Sequence, residues 1–292
     1  MKVLVTGACG QLGMSLRRVM PPSVSAVYTD VVEAPDTRFL DITDLEAIRR
    51  LVAEEKVDVI VNCAAYTRVD DAEDQSALAE ALNAGAVAHL AQAMQESGGR
   101  MIHISTDYVF GGNPGNTPIA EDATPSPLGV YGRTKWQGEQ ALLHIAGERA
   151  VIIRTGWLYS EYGTNFVKTM LRLTAEKPSL RVVFDQVGTP TYASDLARVI
   201  VRILTEFPAL NGIFHYSNEG VCSWYDFART IAAMAGHEGC EIMPCHSSEF
   251  PSKARRPAYS VLDKSRIKEA LGIRIPYWTD SLKGCIQRLT ER

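Results

Sequence analysis

The chain has 292 residues, 46% hydrophobic and 22% charged, a composition that excludes disorder and fibrous repeats and suits one large α/β domain or two modest ones. Lys+Arg 30 against Asp+Glu 34 give a formal charge of −4 with no long run of one sign, which argues against a basic surface for nucleic acid or membrane lipid. The apolar stretch before Gly7 is too short for a signal peptide, no run approaches the ~18 residues of a membrane span, and the 6 cysteines are scattered without a CxxC. The expectation is a cytoplasmic protein with reduced thiols and neither a nucleic-acid nor a membrane partner.

Residues 3–6 form a short apolar, β-branched run that leads directly into Gly7-Ala8-Cys9-Gly10-Gln11-Leu12-Gly13. A helix follows to about Met20 and stops at Pro21-Pro22. Residues 24–29 read as a second strand ending at Asp30. Thr43-Asp44-Leu45-Glu46 has capping-box form with Thr43 as N-cap, and Leu45, Ile48, Leu51 and Val52 continue at helical spacing. Residues 57–61, nearly all apolar, read as a third strand covered on both faces.

An alanine-rich helix is expected over 76–96, halted by Gly98-Gly99, then a fourth strand over 101–105. A Pro/Gly-rich loop spans about 111–127, a helix runs on to Gly147, and residues 151–154 form the next strand. Strands alternating with helices of this length imply a doubly wound, Rossmann-type α/β fold with a parallel sheet. Beyond Gly156 the rhythm loosens: helices over 165–175, 194–204 and 223–235, strands over 180–184 and 212–216, then a tail rich in Pro, Arg and Ser. The expected organisation is a dinucleotide-binding domain of 1–160 plus about 192–217. A smaller, discontinuous α/β substrate domain takes about 161–191 plus 218–292.

Gly7, Gly10 and Gly13 lie between a first strand and a first helix, where a pyrophosphate needs a tight turn, a close approach and free N–H groups. Asp30, 17 residues past Gly13, can accept from the adenosine ribose hydroxyls, which favours NADH, while Arg17 and Arg18 lie close enough to meet a 2′-phosphate. The cofactor is therefore NADPH or NADH. Asp41 and Ile42 are candidates for the adenine edge, with a turn-forming role as the alternative.

Tyr131 and Lys135 stand four apart in a helical segment and so share a face, and Thr106 lies just past the fourth strand, where such sheets place ligands. A tyrosine can protonate a carbonyl being reduced if a neighbouring ammonium brings its pKa down, and Lys135 is placed for that. His237, Cys240, Cys245 and His246 cluster like a zinc site, but without the long loop that usually separates ligand pairs, so no metal is assigned to them.

Gly7–Gly13, Asn62-Cys63-Ala64-Ala65-Tyr66-Thr67, Ser105-Thr106-Asp107-Tyr108-Val109-Phe110, and Tyr131-Gly132-Arg133-Thr134-Lys135 resemble the extended short-chain dehydrogenase/reductases. More narrowly, they are similar to the dTDP-4-dehydrorhamnose reductase family. Further matches are Arg68-Val69-Asp70-Asp71-Ala72-Glu73, Arg154-Thr155-Gly156-Trp157, Asp185-Gln186-Val187-Gly188-Thr189-Pro190-Thr191 and Arg255-Arg256-Pro257. The resemblance implies that Tyr131 protonates the C4 oxygen of a dTDP-4-keto-sugar as hydride arrives, assisted by Lys135, which also holds the cofactor ribose. It implies Thr106, Asp107 and Trp157 on the sugar, Thr67 at its pocket, and Arg255 or Arg256 on the diphosphate. Gly10, Gln11 and Leu12 would line the pyrophosphate, Asp30, Asp41 and Ile42 the adenosine half, and Ala64, Ala65 and Tyr66 the cofactor's flank.

Some members of the family are dimers bridged by Mg²⁺ on acidic side chains, one of them from the first helix. Here that stretch is Gly13-Met14-Ser15-Leu16-Arg17-Arg18, without a carboxylate, so the expectation is a monomer or a homodimer without the metal bridge. A nucleotide-sugar dehydratase would need a second carboxylate beside the threonine, where Asp107-Tyr108 stands instead. Another nucleotide-sugar reductase, an epimerase and a non-catalytic cofactor-binding regulatory subunit, like the β subunit of methionine adenosyltransferase, are the remaining alternatives. The intact Thr106, Tyr131 and Lys135 speak against the regulatory one.

Overall fold

Seven short segments align side by side, all parallel, in a computed structural model that describes residues 1–112, 115–250 and 252–291. In chain order the first half is β1 (Lys2–Thr6), α1 (Gln11–Val19), β2 (Ser25–Asp30), β3 (Arg38–Phe39), α2 (Leu45–Glu55), β4 (Val59–Asn62), α3 (Val69–Asp74), α4 (Ser76–Glu80), α5 (Ala86–Ser97), β5 (Arg100–Thr106), α6 (Val130–Ala146) and β6 (Ala150–Thr155). The second half is β7 (Leu158–Tyr159), α7 (Phe166–Glu176), β8 (Ser179–Val183), β9 (Val187–Gly188), β10 (Thr191–Tyr192), α8 (Ala193–Glu206), β11 (Gly212–His215), β12 (Cys222–Ser223), α9 (Trp224–Met234), β13 (Glu241–Cys245), α10 (Ser265–Leu271) and α11 (Trp278–Thr290).

The sheet order is β11-β6-β5-β4-β1-β2-β3. The chain winds outward from β1 to β3, then returns to β4 on the other side of β1, with Thr6 paired to Asn62. That reversal opens a crevice beyond the carboxyl ends of β1 and β4, the place where doubly wound sheets bind ligands. The central strands are apolar on both faces because helices cover both. Val3, Val5, Val61 and Ile153 pack with α1 and α8, whereas Leu4, Ile60 and Ile152 pack with α2, α5 and α6. A third core, outside the sheet, joins Tyr159, Val167, Phe227, Trp278 and Leu282.

Several elements differ from the sequence expectation. The N-cap of α2 is Asp44, whose carboxylate accepts from Ala47 N at 3.0 Å. Thr43 instead bonds Asp41 through both its N–H and its hydroxyl, so the capping box is not formed. The alanine-rich helix is not continuous, because residues Ala81–Gly85 widen into a π turn between α4 and α5. The Pro/Arg/Ser-rich tail contains β13, α10 and α11, and a two-residue edge strand, β3, precedes the expected third strand. The loop expected over 111–127 includes residues 113 and 114, which lie outside the described residues.

Helix α6 is fixed to the sheet by charge. Glu139 accepts from Arg154 Nε at 2.9 and 3.2 Å and from Nη2 at 2.7 Å, with both side chains at most 2% exposed. The Phe110 ring lies 4.9 Å from the guanidinium, and the Glu121 carbonyl takes a further N–H. Glu139→Ala therefore leaves an uncompensated buried cation and is expected to cost about 3–5 kcal/mol in urea unfolding, while Glu139→Leu with Arg154→Met recovers most of the loss.

Candidate active site

Gly7 closes β1 with φ +65°, and a Cβ there would lie 2.6 Å from the Ala64 nitrogen, so the β1–α1 turn rests on the segment after β4. Gly10 N donates to the Gly7 carbonyl at 3.1 Å, and α1 starts one residue later with no side chain capping it. Its first N–H groups, beside the exposed Gly10, therefore offer an anion site at the crevice, which fits a dinucleotide pyrophosphate. Leu12 and Gly13 are buried beneath this turn.

Asp30 ends β2 with its carboxylate taking N–H groups from Cys9 at 2.9 Å and Val32 at 3.1 Å, so it braces the glycine turn from the β2 side. Arg17 stacks on Tyr28 at 4.2 Å and bonds Thr37 at 2.7 Å, which commits it to the 35–37 segment rather than leaving it free to swing. Asp41 shapes the turn into α2, and the Ile42 side chain is buried in the core. Gln11 spans the crevice: its Oε1 accepts from Ser160 Oγ and Asn165 Nδ2, both at 3.0 Å, and its Nε2 donates to the Leu158 carbonyl at 3.4 Å.

On the other side, Glu73 of α3 accepts the Val130 N–H at 2.8 Å and so caps α6 one residue before Tyr131. Thr106, the last residue of β5, accepts from Tyr108 N at 3.2 Å and donates to Asp107 at 3.1 Å, beside Tyr131. Burial pushes Tyr131 up to about 12, against the pull of the neighbouring Thr106 hydroxyl. The contacts of Lys135 Nζ lie on β5 and not on the Tyr131 hydroxyl. Lys135 Nζ donates to the Ile104 carbonyl at 2.6 Å and lies 3.3 Å from His103 Nε2. Burial pulls Lys135 down to about 8, opposed by Glu139 and Cys63. At neutral pH the tyrosine holds its proton, as an acid must.

The Asp107 carboxylate is buried, bonded to Thr106 beside Ser260, and packed where a Cβ on Gly156 would lie 2.6 Å from it. Trp157 follows with φ +50° and stacks on Trp224 at 3.6 Å and 8°. Ala64 and Ala65 are partly buried at the crevice, Thr67 is exposed, and Tyr66 is clamped by a residue that pattern reading missed. Asn83, in the π turn, accepts from Tyr66 N at 2.9 Å and donates to the Tyr66 carbonyl and to Thr134 Oγ1, both at 3.1 Å. Asn62, His103 and Glu73 were missed too, since each acts on a residue far away in the chain.

Beyond Trp224, α7, β8 and residues 252–258 enclose a groove of about 1230 Å³ with an apolar wall of Phe166, Met170, Leu173 and Leu180. Arg256 is held by Asp70 at 2.6 Å and Lys253 by Asp74, whereas Arg255 is exposed at the groove and, among the described residues, makes no ion pair. His237 bonds Thr174, His246 faces Asp185, and Cys240 and Cys245 are buried. Among the described residues no three His, Cys, Asp or Glu side chains are grouped to hold a metal ion. No helix among them is long and apolar enough to cross a membrane.

The RmlD substrate-binding domain family matches residues 1–291. The chain belongs to this family. Similar curated proteins include the spore coat polysaccharide biosynthesis protein SpsK of Bacillus subtilis, 40% identical over 98% of this chain and 97% of that protein. The dTDP-4-dehydrorhamnose reductase of Aggregatibacter actinomycetemcomitans is 39% identical over 97% of each. A solved dTDP-4-dehydrorhamnose reductase from Clostridium acetobutylicum superposes with a TM-score of 0.92 at 41% identity, covering 99% of this chain and all of that one. The Bacillus anthracis reductase, solved in complex with NADP, gives 0.90 at 36% identity over 98% and 99%. Thermus thermophilus UDP-glucose 4-epimerase shares the fold, with a TM-score of 0.85 at 19% identity over 99% of each chain.

Within this family site, burial raises Asp107 to about 6, above its unfolded value of roughly 4, despite the opposing pull of Ser260 and Thr106. A raised carboxyl stabilises the fold below the unfolded value and loses that contribution as pH rises through 6. Asp107→Asn is therefore expected to gain about 2–3 kcal/mol relative to wild type between pH 4 and pH 7 in urea unfolding; a constant difference would contradict the shift.

Proposed function

We propose that this chain reduces the C4 ketone of dTDP-4-dehydro-β-L-rhamnose to the alcohol of dTDP-β-L-rhamnose, with NADPH or NADH as reductant. One observation carries the reading: Tyr131 stands beside Thr106 at the carboxyl edge of a parallel sheet, one helical turn from Lys135, in a chain whose relatives bear this reductase name. The cofactor, when bound, supplies the hydride. The α1 N-terminus with Gly7, Gly10, Gln11, Leu12 and Gly13 holds the pyrophosphate. Asp30 with Asp41 and Ile42 borders the adenosine, and Ala64, Ala65 and Tyr66 line the flank.

Tyr131 donates its proton to the C4 oxygen as charge develops there, and Thr106 orients that oxygen. Lys135 binds the nicotinamide ribose. Asp107 fixes the Thr106 hydroxyl, Trp157 and Thr67 bound the sugar, and Arg255 takes the diphosphate with Arg256 braced behind it. We assign cofactor binding to residues 1–160 plus 192–217, and the substrate side to 161–191 plus 218–292, a division supported by the third core. With no carboxylate on α1, the proposed state is a monomer or a homodimer without a metal bridge. A nucleotide-sugar reductase of this kind works in the cytoplasm.

The test is oxidation of NADPH and of NADH on dTDP-4-dehydro-β-L-rhamnose, followed by product identification. Tyr131→Phe is expected to lower kcat by about 10²–10⁴-fold with cofactor affinity held within about twofold, and undiminished turnover would sink the proton-donor role. Arg255→Ala is expected to raise KM for the dTDP-sugar about tenfold with kcat little changed. Because Lys135 is depressed to about 8, its ammonium is present at neutral pH and lost above that value. Cofactor affinity should therefore weaken as pH rises through 8, and Lys135→Arg should remove that step.

A further inference from the structure

A buried chain of polar groups runs under the crevice from β1 to α6. Thr6 Oγ1 donates to Asn62 Oδ1 at 2.6 Å, and the Ala64 backbone N–H donates to the same oxygen at 3.2 Å. Asn62 Nδ2 lies 3.0 Å from His103 Nδ1, and His103 Nε2 lies 3.3 Å from Lys135 Nζ. Thr6, Asn62 and His103 have no measurable exposure, and Lys135 has 2%.

Donor and acceptor counting fixes the polarity of this chain. A hydroxyl can rotate, but the Ala64 N–H cannot, so it holds the oxygen of Asn62, and not the nitrogen, toward β1. The Asn62 amide nitrogen then faces His103 as a donor, and Nδ1 must accept. A neutral imidazole that accepts at Nδ1 carries its proton on Nε2. The full burial of His103 and the nearby lysine hold the ring well below its ordinary pKa, in keeping with a neutral ring.

We propose that His103 is a positioning residue for Lys135, a neutral imidazole that turns an N–H rather than a lone pair toward Nζ and so loosens the lysine's hold on its proton. The ammonium has no acceptor in His103 and keeps the Ile104 carbonyl, whereas the uncharged amine gains the Nε2–H as a donor. Among the described residues the other ionisable groups acting on Lys135 are Glu139 on its own helix, which favours the ammonium, and Cys63 after β4, whose thiol burial pushes up to about 12 and so keeps neutral. The inference deepens the proposed role of Lys135 as the cofactor-holding lysine and rests on it.

The test needs neither substrate nor turnover, so missing reductase activity would count against that role and not against this inference. Long-range proton–nitrogen spectra of the histidine-labelled full chain, with His103 assigned by its loss in His103→Gln, should show protonation at Nε2 alone at pH 7. A ring protonated at Nδ1, singly or doubly, would overturn the proposal. Carbon-13 titration of Lys135 supplies the second arm. In His103→Met the lysine should titrate about one pH unit higher than in wild type. His103→Gln, whose amide accepts from Asn62 and donates to Nζ, should hold the midpoint within about half a pH unit of wild type. An unmoved midpoint in the Met variant would overturn the proposal, and the ring spectra of the wild type decide it if that variant fails to fold.

Discussion

The Glu139–Arg154 pair is the constraint on which the site depends. Helix α6 carries both Tyr131 and Lys135, and the pair locks it to β6 at one fixed rotation and height. Two long side chains at this depth are tolerated because every strong donor and acceptor is answered: three contacts within the pair, the Glu121 carbonyl, and the Phe110 face. The same carboxylate faces Lys135 one turn away, so one buried anion steadies two buried cations. At the other end of the helix, Glu73 takes the Val130 N–H. Position and electrostatics are thus set together, at both ends of the segment that carries Tyr131 and Lys135.

A second set of contacts fits the surroundings to that helix. Asn83 pairs with both backbone groups of Tyr66 as a neighbouring strand would, and its third bond reaches Thr134, next to Lys135. It does so from within the π turn, the kind of local widening that often marks a functional position in a helix. Acidic residues of α3 do similar work for the groove. Asp70 and Asp74 hold residues 252–256 and settle the two consecutive arginines into unlike environments, Arg256 tied and Arg255 open.

Much of this was legible from local pattern. The glycine turn, the apolar runs of the central strands and the four-residue spacing of Tyr131 and Lys135 are short-range signals, and the fold follows from them. What stayed hidden is tertiary. Asn83 sits in an alanine-rich stretch that reads as uninterrupted helix, and His103 sits in a strand that reads as core. Thr43 looked like an N-cap because Glu46 completes the pattern, yet Asp41 captured it and Asp44 capped the helix. Helix α11 had a helical signal in Trp278, Leu282, Cys285 and Ile286, masked by the Pro- and Arg-rich stretch ahead of it. The direction of the Lys135 side chain depends on His103 and Ile104, which no spacing rule connects to it.

Gln11 gives the crevice a gauge. One amide at the start of α1 is fastened at three points to residues 158–165, so these bonds resist a widening of the mouth. The wall that carries the glycine turn and the wall that leads to Trp157 therefore behave as the two jaws of a caliper with its screw tightened. The separation between them is a length written in a single side chain, and shortening that side chain by one methylene would reset the aperture without touching any group that meets a reacting atom.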